Sequence, residues 1–322
     1  MTEGATVLVR LQELSRRFGE LVAVDRLSLE VHRGEMFGLI GPDGAGKTTT
    51  LRMVLGILAP GSGTVETCGL APRRQRHQLS DRVGYLSQKF SLYGDLSVDE
   101  NIAFFAEIHD VKDWRPRRDE LLDLVRMTPF RHRLAARLSG GMKQKLALVC
   151  TLVHTPELLV LDEPTTGVDP VSRRDFWKLL SRLQRDGLTI LLTTPYLDEA
   201  ERCGRVALMD QGRLLTLDAP GNLRSQVEGS FLEVVARPRQ VAVEGLRGHP
   251  EVADVEVFGN RLHVNLPGVA PEEAASAAHR LTEHLAARGV EVESARAPST
   301  SAPAAMRSCS SSRSWADAVR AR

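Results

Sequence analysis

No stretch of the 322-residue chain approaches 18 consecutive apolar residues, so the sequence encodes no membrane-spanning helix. The opening MTEGATVLVR lacks the basic, apolar and small-residue order of a secretory leader, and the chain is expected in the cytoplasm. Cysteine is scarce. Cys68, Cys150, Cys203 and Cys309 stand far apart with no CxxC pair, which argues against a disulfide framework or a zinc site, and the first three read as small apolar residues. The histidines, His32, His109, His132 and His154 among them, show no metal-ligand spacing. Charge of one sign is missing too: 42 Lys+Arg against 41 Asp+Glu leave a net +1, so no overall field recruits nucleic acid, and none is expected as a partner.

What is present is globular. Apolar residues make up 42% and charged residues 26%, and the length suits about two domains. Over residues 1–220, β-rich runs alternate with helical patterns, as in a layered α/β domain. Strands are expected at 7–14, 21–31, 36–40, 83–87, 158–161, 189–193 and 205–209, several apolar throughout, as in a mainly parallel sheet buried on both faces. Ser97 with Glu100 three residues later predicts a capped helix over 98–108. A second helix would place Met142, Leu146, Val149, Cys150 and Val153 on one face.

A composition change at 219–229 reads as a linker. Residues 230–296 then follow the order β-α-β-β-α-β of a small α+β, ferredoxin-like domain, with a hairpin turn expected at Gly259-Asn260. Residues 297–322, rich in Ser, Ala, Pro and Arg, predict a disordered tail or one created by loss of the coding frame near Pro298.

Three segments carry chemistry. Gly41-Pro42-Asp43-Gly44-Ala45-Gly46-Lys47-Thr48 fits G-x-x-x-x-G-K-[ST], between the apolar run 36–40 and a helical run 49–58 that opens at Thr49. Glycines let backbone N–H groups converge on an anion, and the helix N-terminus adds roughly half a positive charge. Lys47 is placed for the β- and γ-phosphates of a nucleotide and Thr48 for Mg²⁺. The apolar run 158–161 ends in Asp162-Glu163; Asp162 suits a metal partner and Glu163 a base that polarises the attacking water. Ser139-Gly140-Gly141 opens another helix and forms a second anion cradle. This cradle has no lysine in the G-K-[ST] position and no metal acid nearby, so it reads as completing the nucleotide site of another copy.

Across residues 7–296 the sequence resembles the ATP-binding subunits of ABC transporters, most closely the multidrug-export type with a small C-terminal appendage. The resemblance implies a P-loop NTPase fold with a helical subdomain, in which residues 41–48 are the Walker A loop and Gln88 is the Q-loop glutamine, expected to hold the metal with Thr48 and Asp162 and to act in catalysis with Lys47 and Glu163. Leu138 to Met142 resembles the LSGGQ signature, Asp162 and Glu163 match Walker B and its catalytic glutamate, and Gly167-Val168-Asp169-Pro170 resembles the D-loop. Phe18 stands where the family has an aromatic that stacks on adenine. Phe90, Leu92 and Tyr93 follow Gln88 where the family receives a short helix from its permease.

Two positions depart from the pattern. Met142 replaces the last glutamine of the signature. Pro195 occupies the place of the switch histidine that contacts the γ-phosphate, and proline offers neither a side-chain donor nor an N–H. The resemblance therefore implies an ATPase using ATP and Mg²⁺, paired with a second ABC ATPase domain and docked on a membrane permease that exports drugs or other amphipathic compounds. Hydrolysis is expected to be slow or to depend on a second, intact site. The alternatives are an ATP-gated clamp that does not hydrolyse and a soluble ABC ATPase acting away from membranes.

Overall fold

The computed structural model describes residues 6–88, 92–225, 230–258 and 261–296. Gly259-Asn260, Phe90 and the tail from 297 onward lie outside the described residues. The described residues divide into two compact units, one comprising 6–195 with Glu199–Ala219, the other 220–296 with Tyr196–Asp198.

The first unit contains strands β1 (Val7–Phe18), β2 (Leu21–His32), β3 (Met36–Ile40), β4 (Ser62–Thr67), β5 (Val83–Leu86), β6 (Leu158–Asp162), β7 (Thr189–Thr194), β8 (Arg205–Asp210) and β9 (Arg213–Asp218). Six of them form a sheet in the order β5-β6-β7-β3-β8-β9, parallel except for the edge strand β9. Every residue of β3, β6 and β7 is buried, as strands covered on both faces require. β2-β1-β4 form a separate antiparallel sheet.

β1 runs four residues beyond the expected end because register shifts between Leu11 and Leu14, and again near Arg16, let its pairing with β2 continue to Phe18. The helix after β3 spans Lys47–Val54 instead of 49–58. It stops early because Gly56 turns the chain at φ +67°, where a Cβ would lie 2.4 Å from the Pro72 carbonyl oxygen.

The expected capped helix spans Val98–Ile108 with both bonds of its capping box: Glu100 N donates to Ser97 Oγ at 3.2 Å, and Ser97 N to Glu100 Oε2 at 2.7 Å. Asp99 in its first turn accepts from Arg131 at 2.9 Å and lies 3.5 Å from Arg118 of the helix Trp114–Leu124, which ties the helical layer together. Tyr93 packs edge-on against Phe104 with ring centroids 4.6 Å apart, yet remains 45% exposed. In the helix Gly140–Leu152, Leu146, Val149 and Cys150 are buried as expected, while Met142 is only partly covered. Burial pushes the Cys68 thiol up to about 11 and drives the Cys150 and Cys203 thiols up as well, in keeping with small apolar roles.

The second unit holds β10 (Ser230–Arg237), β11 (Asp254–Phe258), β12 (Arg261–Leu266) and β13 (Glu291–Arg296) in an antiparallel sheet of order β11-β12-β10-β13. Alternate residues Leu232, Val234 and Ala236 point inward onto Ala242 and Leu246 of one helix and Ala277, Leu281 and Leu285 of another. The expected linker contains the helix Pro220–Ser225, opened by a proline whose missing N–H is no loss at a first helical position.

His109 and His154 stack at 4.0 Å, only 8° from parallel, on the wall of a 230 Å³ cavity with Leu55, Leu79, Val83, Tyr85 and Phe105. Burial, then the neighbouring His109 ring, lowers the His154 pKa to about 4. A histidine kept neutral in the fold but protonated when unfolded stabilises the protein above its ordinary pKa near 6.5, and this stabilisation is lost as pH falls from there toward 4. Denaturant midpoints are therefore expected to fall between pH 7 and pH 4.5, and His154→Phe to flatten that dependence.

Candidate functional site

The phosphate-loop glycines are needed for their backbone. Gly44 and Gly46 sit at φ +82° and +97°. At Gly46 a Cβ would lie 2.3 Å from the Ala23 carbonyl oxygen of β2, and at Gly41 only 2.1 Å from the Met209 carbonyl oxygen of β8. Pro42 and Asp43 form the turn between, Asp43 and Gly44 are exposed, and buried Ala45 closes the loop with its N–H on the Pro42 carbonyl at 3.1 Å. Lys47, Thr48 and Thr49 begin the helix, whose first-turn N–H groups have no side-chain cap and whose first turn carries no acid. An anion there would meet free donors and the positive end of the helix.

Lys47 is only 4% exposed. Its Nζ donates to the carbonyl oxygens of Gly41 at 2.8 Å and Pro42 at 3.0 Å, and lies 3.3 Å from Glu163 Oε1. The other Glu163 oxygen accepts from Gln88 Nε2 at 3.0 Å. Thr48 Oγ1 and Thr193 Oγ1 donate to Asp162 Oδ1 at 2.9 and 2.7 Å. Burial, then the Asp162 carboxylate, pushes the Tyr85 phenol up. The structure thus brings Lys47, Thr48, Gln88, Asp162 and Glu163 together. A Thr48 hydroxyl beside the Asp162 carboxylate is an all-oxygen donor pair, the chemistry that Mg²⁺ takes.

Phe18 ends β1, paired with Leu21 at the start of the strand that presses Ala23 onto Gly46. Its ring is 46% exposed, with the Arg16 guanidinium 4.9 Å above it. Ser139 caps the helix Gly140–Leu152, its hydroxyl accepting from Met142 N at 3.4 Å, and both Ser139 and Gly140 are exposed. Gly141 is buried against the helix Pro170–Arg185: a Cβ there would lie 2.3 Å from Ser172 Oγ. Among the described residues no hydrogen bond or ion pair joins 139–141 to the loop 41–49, so the two cradles are separate features of one chain.

Sequence reasoning missed several contributors. Thr193 donates to Asp162 and accepts from Glu163 N at 3.0 Å. Gln144, fully buried, donates to the Pro164 carbonyl. Glu199 accepts from Thr165, Arg173 and Thr194. The signal available for Thr193 and Thr194 was two hydroxyls ending a fully buried strand whose centre, Ile190-Leu191-Leu192, is apolar.

The ABC transporter family profile matches residues 24–166. Over 223 residues the chain is 40% identical to the Nod factor export ATP-binding protein I of Ralstonia nicotianae, covering 68% of this chain and 70% of that protein. It is 45% identical over 230 residues to the probable multidrug ABC transporter ATP-binding protein YbhF of Escherichia coli, but spans only 40% of that protein's length. A solved ATP-binding subunit of an ABC transporter superposes on 68% of this chain, and on 92% of its own, with a TM-score of 0.62 and 28% identity. The chain belongs to the ABC transporter family of ATP-binding proteins, as the loop, the Asp-Glu strand end and the signature-like helix had implied.

Gly46→Ala combines the left-handed strain with a clash on β2 and is expected to lower unfolding free energy by about 1–3 kcal/mol. Gly44→Ala, with nothing within 4 Å of the new Cβ, meets the strain alone, about 1–2 kcal/mol. Chemical denaturation of both variants without nucleotide measures the difference.

Proposed function

We propose that this chain is the ATP-hydrolysing subunit of an export system, working as a head-to-tail pair of ABC ATPase domains on the cytoplasmic face of a separate membrane permease. The observation that carries the reading is the Glu163 carboxylate held 3.3 Å from Lys47 and 3.0 Å from Gln88 at the end of β6, beside an uncapped helix N-terminus. The multidrug and Nod factor export names of the relatives support export of drugs or other amphipathic compounds. Among the described residues no helix is long and apolar enough to cross a membrane, so transport through this chain alone is not supported.

Lys47 pairs with Glu163 and with the carbonyl oxygens of Gly41 and Pro42. A triphosphate entering the loop supplies stronger anionic acceptors, so the ammonium turns to the β- and γ-phosphates and leaves Glu163 to accept a proton. Glu163 then takes that proton from water as the water oxygen bonds to the γ-phosphorus. The bond from that phosphorus to the bridging oxygen breaks, giving ADP and inorganic phosphate. Thr48 and Asp162 would hold Mg²⁺, which when bound offsets phosphate charge. Ser139, Gly140 and Gly141 of the paired copy cover the nucleotide from the other side with helix N-terminal donors, and Phe18 stacks on the adenine. ATP thus holds the pair closed, and its hydrolysis releases it.

Pro195 favours a second reading, an ATP-gated clamp, because one preorganised donor to the γ-phosphate is missing from this chain's own site. Steady-state phosphate release separates the two. For the ATPase, Glu163→Gln is expected to lose about a hundredfold or more in kcat with nucleotide binding retained, and Lys47→Ala to lose nucleotide uptake in calorimetry. Pro195→His is expected to raise kcat. Background-level release from wild type and Glu163→Gln alike would favour the clamp.

A further inference from the structure

Glu163 adopts φ +47°, a left-handed conformation that a side chain enters only when its surroundings enforce it. Part of that enforcement is local: Glu163 N donates to the Thr193 carbonyl at 3.2 Å and to its hydroxyl at 3.0 Å. The rest converges on a carboxylate outside the nucleotide loop. Glu199 is 1% exposed and accepts from three segments at once. Its Oε1 takes the Thr165 hydroxyl, two residues past Glu163, and Arg173 Nε at 2.7 Å, while its Oε2 takes the Thr194 hydroxyl at 2.6 Å. Arg173 lies in the helix Pro170–Arg185, whose N-cap Asp169 accepts from Ser172 N at 2.9 Å.

We propose that Glu199 is a positioning residue for hydrolysis: by binding Thr165 and Thr194 together it fixes the turn that aims Glu163 and the end of β7 that supports it. Thr194 directly follows Thr193, which holds both Asp162 and the Glu163 amide, so Glu199 braces the base from both sides. Pro195 makes this brace more important in this chain, because the residue after Thr194 brings no side-chain donor of its own to the phosphate. A buried carboxylate with charge-assisted partners from three segments is costly to break and holds its partners closely. None of those partners belongs to residues 41–49, so nucleotide affinity should not depend on Glu199.

The inference rests on the hydrolytic reading, and the full-length chain tests both. Phosphate release gives kcat and KM for MgATP, titration with a fluorescent ATP analogue in magnesium gives affinity, and thermal denaturation reports folding. Glu199→Gln is expected to lower kcat by about tenfold to a hundredfold, with KM and affinity within about twofold of wild type. Thr194→Val, which keeps the volume but removes a donor, should reduce kcat in the same direction, and Thr194→Ser should restore most of the loss. The Thr194 pair keeps the test available if Glu199→Gln does not fold. Unchanged kcat in Glu199→Gln or Thr194→Val would overturn the proposal, as would equal losses of kcat and affinity accompanied by a falling melting temperature, the mark of a purely structural role. A wild-type chain that binds nucleotide but releases no phosphate would overturn the hydrolytic reading itself, and with it this role for Glu199.

Discussion

A lysine ammonium that is 4% exposed must find acceptors, and the architecture of the first unit is arranged around supplying them. Lys47 takes two from its own loop and one from Glu163, which sits at the end of a different strand. β6 and β3 are separated in the sheet by β7, so the ion pair reaches across the carboxyl ends of three adjacent strands. Parallel sheets gather chemistry at that end, where loops from neighbouring strands converge. An ammonium and a carboxylate left unpaired there would each be expensive; paired, they cost less.

The loop was legible in the sequence because its demands fall on backbone geometry, and glycine is the residue that meets them. Gly44 and Gly46 are left-handed, Gly41 and Gly46 have carbonyl oxygens where a side chain would go, and all of this is written within eight consecutive positions. Strands β3 and β6 and the centre of β7 were legible for a similar reason, since burial on both faces leaves the apolar runs 36–40, 158–161 and 190–192. β4 was not: Ser62–Thr67 is largely exposed and polar, and it is a strand only because β1 pairs with it. The helix Pro220–Ser225 was hidden in a segment whose composition reads as a linker.

The contacts that organise Glu163 were beyond a local reading. Gln88, 75 residues away in sequence, is indicated only by the family resemblance, and Thr193, 30 residues away, by no local motif. Gln144 is a polar residue on a helix whose neighbours Leu146, Ala147 and Leu148 are core, and nothing in that spacing indicates that its amide reaches the Pro164 carbonyl. Thr193 and Gln144 have no motif of their own, because their partners are chosen by the fold and not by adjacency.

Gly141 illustrates how one residue can be constrained from inside the molecule as firmly as from outside. It lies at the head of the second cradle, yet its missing side chain is already filled by Ser172, whose hydroxyl would stand 2.3 Å from any added carbon and whose own Cβ would stand 2.6 Å away. Enlarging this residue would wedge apart two helices before any visiting molecule arrived. A lesion at that position would therefore first register as loosened internal architecture, and the smallness that looks like courtesy toward a guest is equally a fit between neighbours.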